Sequence, residues 1–229
     1  MRSRQSGFTL VEIAIVLVII GLLLGGVLKG QELINSAKVK NIATDFRNIP
    51  LFIYGYQDKF KALPGDDVGA VAHVAAPTAA TCAGCLGNGV INGGYNSTTY
   101  SDESIRFWQQ VRLAGLAAGI TATPTDAATL AAYMPRNADG GLIGIQAGVN
   151  PPIAGMASSY IVCSDGILGK FAKQLDITMD DGETSTGNVR AVLTASIAAP
   201  FVPGTSAAAA VVLTSAVVDA SPYTVCMGL

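Results

Sequence analysis

The order of apolar and polar residues divides the chain into three stretches. In the first, residues 8–28, almost every residue is apolar and Glu12 is the one charged residue. A helix of this length rises about 32 Å, enough to cross the roughly 30 Å hydrocarbon core of a bilayer. The pattern therefore predicts a membrane-spanning helix that carries an acid near its start.

The second stretch, residues 29–60, mixes polar residues with apolar ones at steps of three or four, the spacing of one helical face. We expect one helix from about residue 8 to about residue 48, which Pro50 ends or kinks, with a further turn or two beyond. Its second half is then an amphipathic helix on which a globular head packs. The apolar positions are Leu33, Ala37, Ile42, Phe46, Ile49, Ile53, Tyr56 and Phe60.

The third stretch begins after the turn residues 63–67. Residues 70–96 are rich in Ala, Gly, Thr and Asn and predict a long irregular connection. Ser101 can cap a helix that contains Trp108 as a core residue and that Gly119 closes, and a short helix is expected at residues 126–133.

Strand-like segments dominate the rest of the chain. Runs rich in Val, Ile and Ala, bounded by Gly, Pro or Asp, predict strands at residues 142–149, 159–163, 188–198 and 209–218. One more helix is expected around Ile167, Leu168, Phe171 and Leu175, and residues 223–226 could form an edge strand. The sum is an α+β fold in which an antiparallel sheet packs on the second half of the long helix.

The residues before the apolar stretch are short, basic and end in a small residue, Gly7. A secretory signal peptide would place its small-residue cleavage site after the apolar run, not before it. Cleavage after Gly7 would keep the apolar helix and create a new amine on Phe8. Arg2 and Arg4 favour a cytoplasmic leader. Glu12 would then lie in hydrocarbon, where a carboxylate must be neutralised or paired, and the nearest cation is the N-terminal amine of its own chain or a neighbour's.

The run Gly7-Phe8-Thr9-Leu10-Val11-Glu12 resembles the N-terminal motif of type IV prepilins and type II secretion pseudopilins. The resemblance implies that an inner-membrane prepilin peptidase cuts between Gly7 and Phe8 and methylates the new amine. It also implies that Glu12 pairs with the Phe8 amine of an adjacent subunit during assembly. The implied partners are the peptidase, other copies of this chain or related pilins, the inner membrane and assembly platform proteins.

Further segments look like a group of prepilin-like proteins of Gram-negative bacteria. They are Leu63-Pro64-Gly65-Asp66, Gly87-Asn88-Gly89, residues 107–116 and residues 180–191. The expected organisation is a leader at residues 1–7, a transmembrane and assembly helix at 8–28, its amphipathic half at 29–60, and a periplasmic or extracellular head at 61–229.

The function implied by the resemblance is that of a structural subunit of a type IV pilus or pilus-like filament. A type II secretion pseudopilin is the alternative within the same class. A signal-anchored binding domain or adhesin that does not polymerise is the alternative of another class, and the intact cut site and Glu12 argue against it.

The charge of the head and its candidate catalytic residues argue against nucleic-acid binding and against catalysis. Beyond residue 60, seven basic residues stand against twelve acidic ones, a net charge of −5, so no basic patch supports nucleic-acid binding through the head. His73 is the only histidine, and its Ala/Val-rich surroundings supply no local Ser, Cys or acid constellation. None of the Gly-x-Ser-x-Gly, P-loop or His-Glu-x-x-His motifs occurs, and we expect no enzymatic activity.

Four cysteines follow the apolar helix: Cys82, Cys85, Cys163 and Cys226. An even count in an oxidising compartment indicates two disulfides, and three connectivities are open. We favour a local Cys82–Cys85 loop and a long Cys163–Cys226 bridge; pilins often close their C-terminal region with such a bridge. A zinc site is the other interpretation of Cys82-x-x-Cys85, but the second close pair of cysteines is missing.

Four acids cluster in a turn near the C-terminal third of the chain: Asp176, Asp180, Asp181 and Glu183. They could hold Ca²⁺, a hard cation that takes six or more oxygen ligands. Their spacing is not that of an EF-hand, and a solvated turn without an ion is the alternative. No other cofactor is expected.

Overall fold

The computed structural model describes residues 10–76, 86–204, 207–213 and 220–229. The chain divides into two compact units, Met1–Lys38 and Val39–Leu229. Helix α1, Leu10–Phe60, contributes its first part to one unit and its second part to the other. In the first unit the described residues are all helical.

In the second unit, α1 buries one face. The buried side chains follow the predicted steps of three and four: Val39, Ile42, Ala43, Phe46, Ile49, Ile53 and Tyr56. Pro50 lies inside the helix, which continues to Phe60, so the prediction that Pro50 could end it is wrong. A proline removes one N–H from the helical ladder and its ring crowds the carbonyl four residues earlier, a cost that packing must offset. Burial of Ile53 and Tyr56 after Pro50 stabilises the last turns through tertiary packing.

Four shorter helices follow in the described part of the chain. They are α2, Ala70–Val74; α3, Glu103–Leu113; α4, Ala127–Tyr133; and α5, Gly169–Met179. Helix α2 lies in a stretch that the sequence predicted to be irregular. Helix α4 begins as predicted, with a reciprocal hydrogen-bonded cap between Asp126 and Thr129.

Helix α3 ends earlier than the sequence predicted. Gly115, with a φ of 76°, closes it instead of Gly119. The N–H groups of Gly115 and Leu116 bond back to the carbonyls of Arg112 and Val111, the pattern of a helix end that uses a left-handed residue. At the other end Asp102, not Ser101, occupies the cap position.

The sheet in the described residues has four strands, β1, Ile143–Ala147; β2, Tyr160–Leu168; β3, Val189–Leu193; and β4, Pro222–Gly228. Their order is β1-β2-β4-β3, and every pair is antiparallel. The predicted α+β fold, a long helix with an antiparallel sheet, is confirmed.

Three strand predictions are wrong in detail. Residues 223–226 belong to the interior strand β4 and not to an edge, in keeping with the burial of Tyr223, Thr224, Val225 and Cys226. Strand β3 ends at Leu193 and is followed by a 3₁₀ turn at Thr194–Ser196. Residues 209–213 form no strand, and 214–219 lie outside the described residues.

Both faces of the sheet are covered. One face belongs to the main core, which includes Phe46 of α1, Trp108 of α3 and Phe171 of α5. The other face packs under Tyr95, Ile153 and Phe201 from the connecting segments. Trp108 is 3% exposed, which confirms its predicted role as a core residue.

Candidate functional site

The N-terminal part of α1 exposes its apolar side chains. Leu10, Leu22 and Leu28 are examples, and no residue of the most apolar stretch is buried. Among the described residues, α1 is the one helix long and apolar enough to cross a membrane, by length and composition. Residues 10–28 alone rise about 28 Å as a helix. Such a surface is stable in lipid or against other apolar helices, and unstable in water.

Glu12 lies in the first turn of α1, where the N–H groups at the helix start favour a negative charge. It is exposed, and it stands between the exposed apolar residues Val11 and Ile13. In hydrocarbon this carboxylate requires a cationic or hydrogen-bonding partner. Gly7 and Phe8, the predicted processing residues, lie outside the described residues, so cleavage and Glu12–Phe8 pairing stay predictions.

Small residues interrupt the apolar surface of α1 at Gly21, Gly25, Gly26 and Gly30. A Cβ built on any of them would meet nothing within 4 Å. Because these positions lack side chains, the backbone of a second helix can approach closely there in lipid.

The favoured Cys163–Cys226 disulfide is present in the structure. The two residues face each other across the central strands β2 and β4, with 4.1 Å between their Cα atoms, and both are fully buried. Cys82 and Cys85, the predicted local pair, lie outside the described residues.

A buried carboxylate, Asp66, organises a loop through a contact with Gly87-Asn88-Gly89 that the sequence did not predict, although both segments carry the resemblance to prepilin-like proteins. Its oxygens accept the N–H groups of Gly87, of Asn88 at 3.3 Å and of Gly89 at 2.7 Å. Gly87 and Gly89 have φ values of 76° and 78°, which other residues rarely adopt. The backbone N–H groups of Gly87-Asn88-Gly89 therefore form the binding loop for the Asp66 carboxylate. In the sequence, the pattern that could have predicted this contact is an Asp in one turn and a Gly-x-Gly in a later one.

The neighbouring Asp67 is 2% exposed and holds the only histidine. It accepts hydrogen bonds from the Tyr56 hydroxyl at 2.6 Å and the Gly69 N–H at 2.7 Å, and lies 2.8 Å from His73 Nδ1. Burial and then Asp67 raise the pKa of Tyr56, and the His73 ring stacks on Phe60. These contacts attach α2 to the end of α1, which gives His73 a structural role.

The acidic turn brings together three of its four candidate ligands. Asp176, Asp180 and Asp181 each place one carboxylate oxygen within 4.8 Å of the other two. Asp176 is fully buried, whereas Asp180 and Asp181 are on the surface side. Glu183 hydrogen-bonds to Ser185 and, through its N–H, to Asp181.

Comparison with known proteins identifies the N-terminal segment. Residues 2–28 match the family described as the prokaryotic N-terminal methylation motif. A search of curated proteins and a search of solved structures found no match to the chain. The matched motif is the signature of type IV pilins and pseudopilins, a class of structural proteins.

Proposed function

We propose that this chain, pilin-like by its N-terminal signature, is a structural subunit of a type IV pilus or pilus-like filament. The observation that carries the proposal is the methylation motif on a helix that exposes an apolar surface with one acid in its first turn. The chain is made as a precursor, held in the bacterial inner membrane by residues 8–28, with its head in the periplasm. Prepilin peptidase removes residues 1–7.

Assembly follows from the energetics of one carboxylate in lipid. On insertion scales a charged side chain at the centre of a membrane-spanning helix costs about 2.5–3.5 kcal/mol, which is an upper value for Glu12 in the first turn. In a filament, the methylated Phe8 amine of an adjacent copy lies within reach and neutralises it. Helix–helix contacts replace lipid contacts at the same time, and Gly21 and Gly25 allow close approach. Pairing therefore makes the ordered filament more stable than the dispersed precursor.

The head supplies the outer surface of the filament and performs no catalysis in this proposal. Its negative charge and the structural use of His73 support this role. Assembly platform proteins and other copies of the chain or related pilins are its partners. Exported filaments are extracellular in a pilus and periplasmic in a pseudopilus.

Replacement of Glu12 tests the proposal. In Glu12→Ala and Glu12→Gln variants, we expect normal membrane insertion and largely normal cleavage, but at least a tenfold loss of sheared filaments or of filaments seen by electron microscopy. Glu32→Ala is the matched control, because Glu32 is an exposed acid of the same helix, paired with Lys29 at 2.6 Å. Normal filament yield in both Glu12 variants would contradict the pairing mechanism.

The same strains separate the two kinds of filament. If the chain is a pilus subunit, the wild-type strain has surface filaments and the Glu12→Ala strain lacks them, while protein export is the same in both strains. A type II secretion pseudopilin gives retention of exported proteins in the periplasm of the variant strain. A membrane-anchored adhesin that does not polymerise would show neither change.

A further inference from the structure

A cavity of about 300 Å³ lies between the second half of α1, helix α3 and the start of β1. From α1 it is lined by Asp45, Ile49 and Phe52, which follow one another at steps of four and three residues. Ile49 is buried, while Asp45 and Phe52 are half-buried. We call these three residues, with the cavity beside them, the α1 groove. The groove combines one carboxylate with an apolar wall.

The carboxylate of Asp45 has no cationic partner in the part of the chain that the structure describes. No basic side chain there lies within 4.0 Å of it. Burial raises the pKa of Asp45, because its charged form loses contact with water. The other charged side chain of the groove, Arg112, donates to the carbonyls of Ile120 and Tyr133. A cation brought by a second molecule would therefore stabilise the ionised form of Asp45.

The opposite side of α1 carries a row of exposed residues with the same spacing. Arg47, Leu51 and Tyr54 also follow one another at steps of four and three residues, and we call them the α1 ridge. Because successive residues of a helix are about 100° apart, positions 45 and 47 lie on opposite sides of α1. Leu51 and Tyr54 are each 63% exposed, and Arg47 is exposed as well. Among the described residues no acid lies within 4.0 Å of Arg47.

The ridge matches the groove position by position. In both rows a charged residue is followed by an aliphatic residue and then by an aromatic ring, but the charges are opposite. Copies anchored by the same N-terminal segment in one membrane run in the same direction. When two parallel helices are shifted by two residues, about 3 Å, Arg47 of one reaches the level of Asp45 of the other. The same shift brings Leu51 to the level of Ile49, so opposite charges and apolar side chains face each other together.

We propose that the α1 groove of one copy receives the α1 ridge of a neighbouring copy, with Arg47 of the neighbouring copy paired to Asp45. This inference rests on the proposed filament function and names a contact between its subunits. The groove and the ridge are different surfaces on opposite sides of one helix, so a copy whose ridge is bound still offers its own groove. Contacts of this heterologous kind build rings or open filaments, whereas an isologous contact stops at a dimer.

Exchange of the two charges tests the contact in the full-length chain in its own strain. Asp45→Arg and Arg47→Asp each place like charges across the contact, and we expect at least a tenfold loss of sheared filaments. The double variant restores opposite charges between copies and should return to within about threefold of the wild-type yield. Residues two positions apart on a helix do not face each other, so this rescue must occur between chains. Lys173→Asp, at an exposed base of α5, is the matched control and should keep the wild-type yield.

Thiol cross-linking detects the same contact without relying on filament yield. A chain with both Asp45→Cys and Arg47→Cys, treated in membranes and sheared filaments with a short bismaleimide, should give a ladder of dimers, trimers and longer species. Either substitution alone should give only the wild-type background, because the introduced thiol then meets no introduced thiol in the neighbouring copy. Dimers from Arg47→Cys alone would indicate an isologous contact and would overturn the proposal.

Failure of this contact and failure of the filament function give different results. Normal filament yield in both single charge variants, with filaments lost in Glu12→Ala, overturns the contact and leaves the filament function standing. Single losses that the double exchange does not rescue overturn the contact as well. Where a charge variant fails to accumulate, the cross-linking decides, and absence of the ladder overturns the contact. A wild-type strain that forms filaments equally well with and without Glu12 contradicts the assembly mechanism instead.

Discussion

Three buried acids of this fold differ in the hydrogen-bond donors that surround their carboxylates. Asp66 is satisfied by the amides of Gly87, Asn88 and Gly89. Glu103 is fully buried at the start of α3 and receives both nitrogen donors of Asn92. Asp176 is fully buried as well, and the Gly182 N–H donates to it. Burial of a charge is tolerated when hydrogen bonds replace water, so the contacts of Asp66 and of one Glu103 oxygen stabilise their loops. Burial raises the pKa of Asp176 to about 6, so its charged form is costlier in the fold.

The hydrogen bonds to Asp66 lead us to predict that replacing this residue destabilises the fold. Asp66→Ala removes a charged acceptor and leaves the Gly87, Asn88 and Gly89 amides without it, and we expect the free energy of unfolding to fall by about 3 kcal/mol. Denaturant unfolding followed by Trp108 fluorescence measures it. Asp58→Ala, at an exposed acid, should change stability by less than about 0.5 kcal/mol. Equal stability of the two variants would contradict the role of Asp66.

At the scale of elements, the spacing of apolar residues and the capping residues predicted the features that depend on local sequence, such as the buried face and the start of a helix. The three-and-four spacing of Ile42, Phe46 and Ile49 indicated the buried face of α1, and Asp126 marked the start of α4. Which of two nearby glycines ends α3 depends on where the chain must turn, and the sequence could not distinguish Gly115 from Gly119. That β4 lies between β2 and β3 is set by long-range pairing, which no local pattern reports.

The same limit applied to the candidate sites. Its position in the apolar stretch singled out Glu12, and the clustering of acids singled out the acidic turn. Neither pattern reported the burial of Asp176, which depends on how α5 packs on the sheet. The apolar run 209–218 looked like a strand from composition, yet its described part forms only isolated contacts, such as the Val211 N–H to the Ala191 carbonyl. β-Propensity reports fit to a half-buried surface and not to a sheet in particular.

The central pair of strands gives a prediction at this scale. Cys163 and Cys226 join β2 to β4 across a sequence separation of 63, so Cys163→Ala with Cys226→Ala should lower the free energy of unfolding by about 4 kcal/mol in the chain-entropy account. Thermal or denaturant unfolding of the double variant measures the effect. The Cys82→Ala, Cys85→Ala variant should lose clearly less, because the predicted Cys82–Cys85 bridge would close only a short loop. A larger loss from the second variant would contradict this ranking.

At the scale of the whole molecule, one chain contains surfaces suited to two solvents. The first part of α1 exposes apolar side chains that require lipid or other helices, and Val39–Leu229 encloses its own core and carries a net negative charge. Such a chain is stable in water only when the apolar helix is covered. Storage in a membrane followed by burial in a filament core satisfies this requirement, and the methylation motif at residues 2–28 accords with that route.

Mass spectrometry of the N-terminal peptide, from protein purified out of the native membrane, tests this account most directly. We predict that the mature chain begins at Phe8, carries one methyl group on its amine and retains the whole apolar helix with Glu12. A strain without prepilin peptidase should yield the chain that begins at Met1. Protein that keeps residues 1–7 in the wild-type strain, or that is cut after residue 28, would contradict the account.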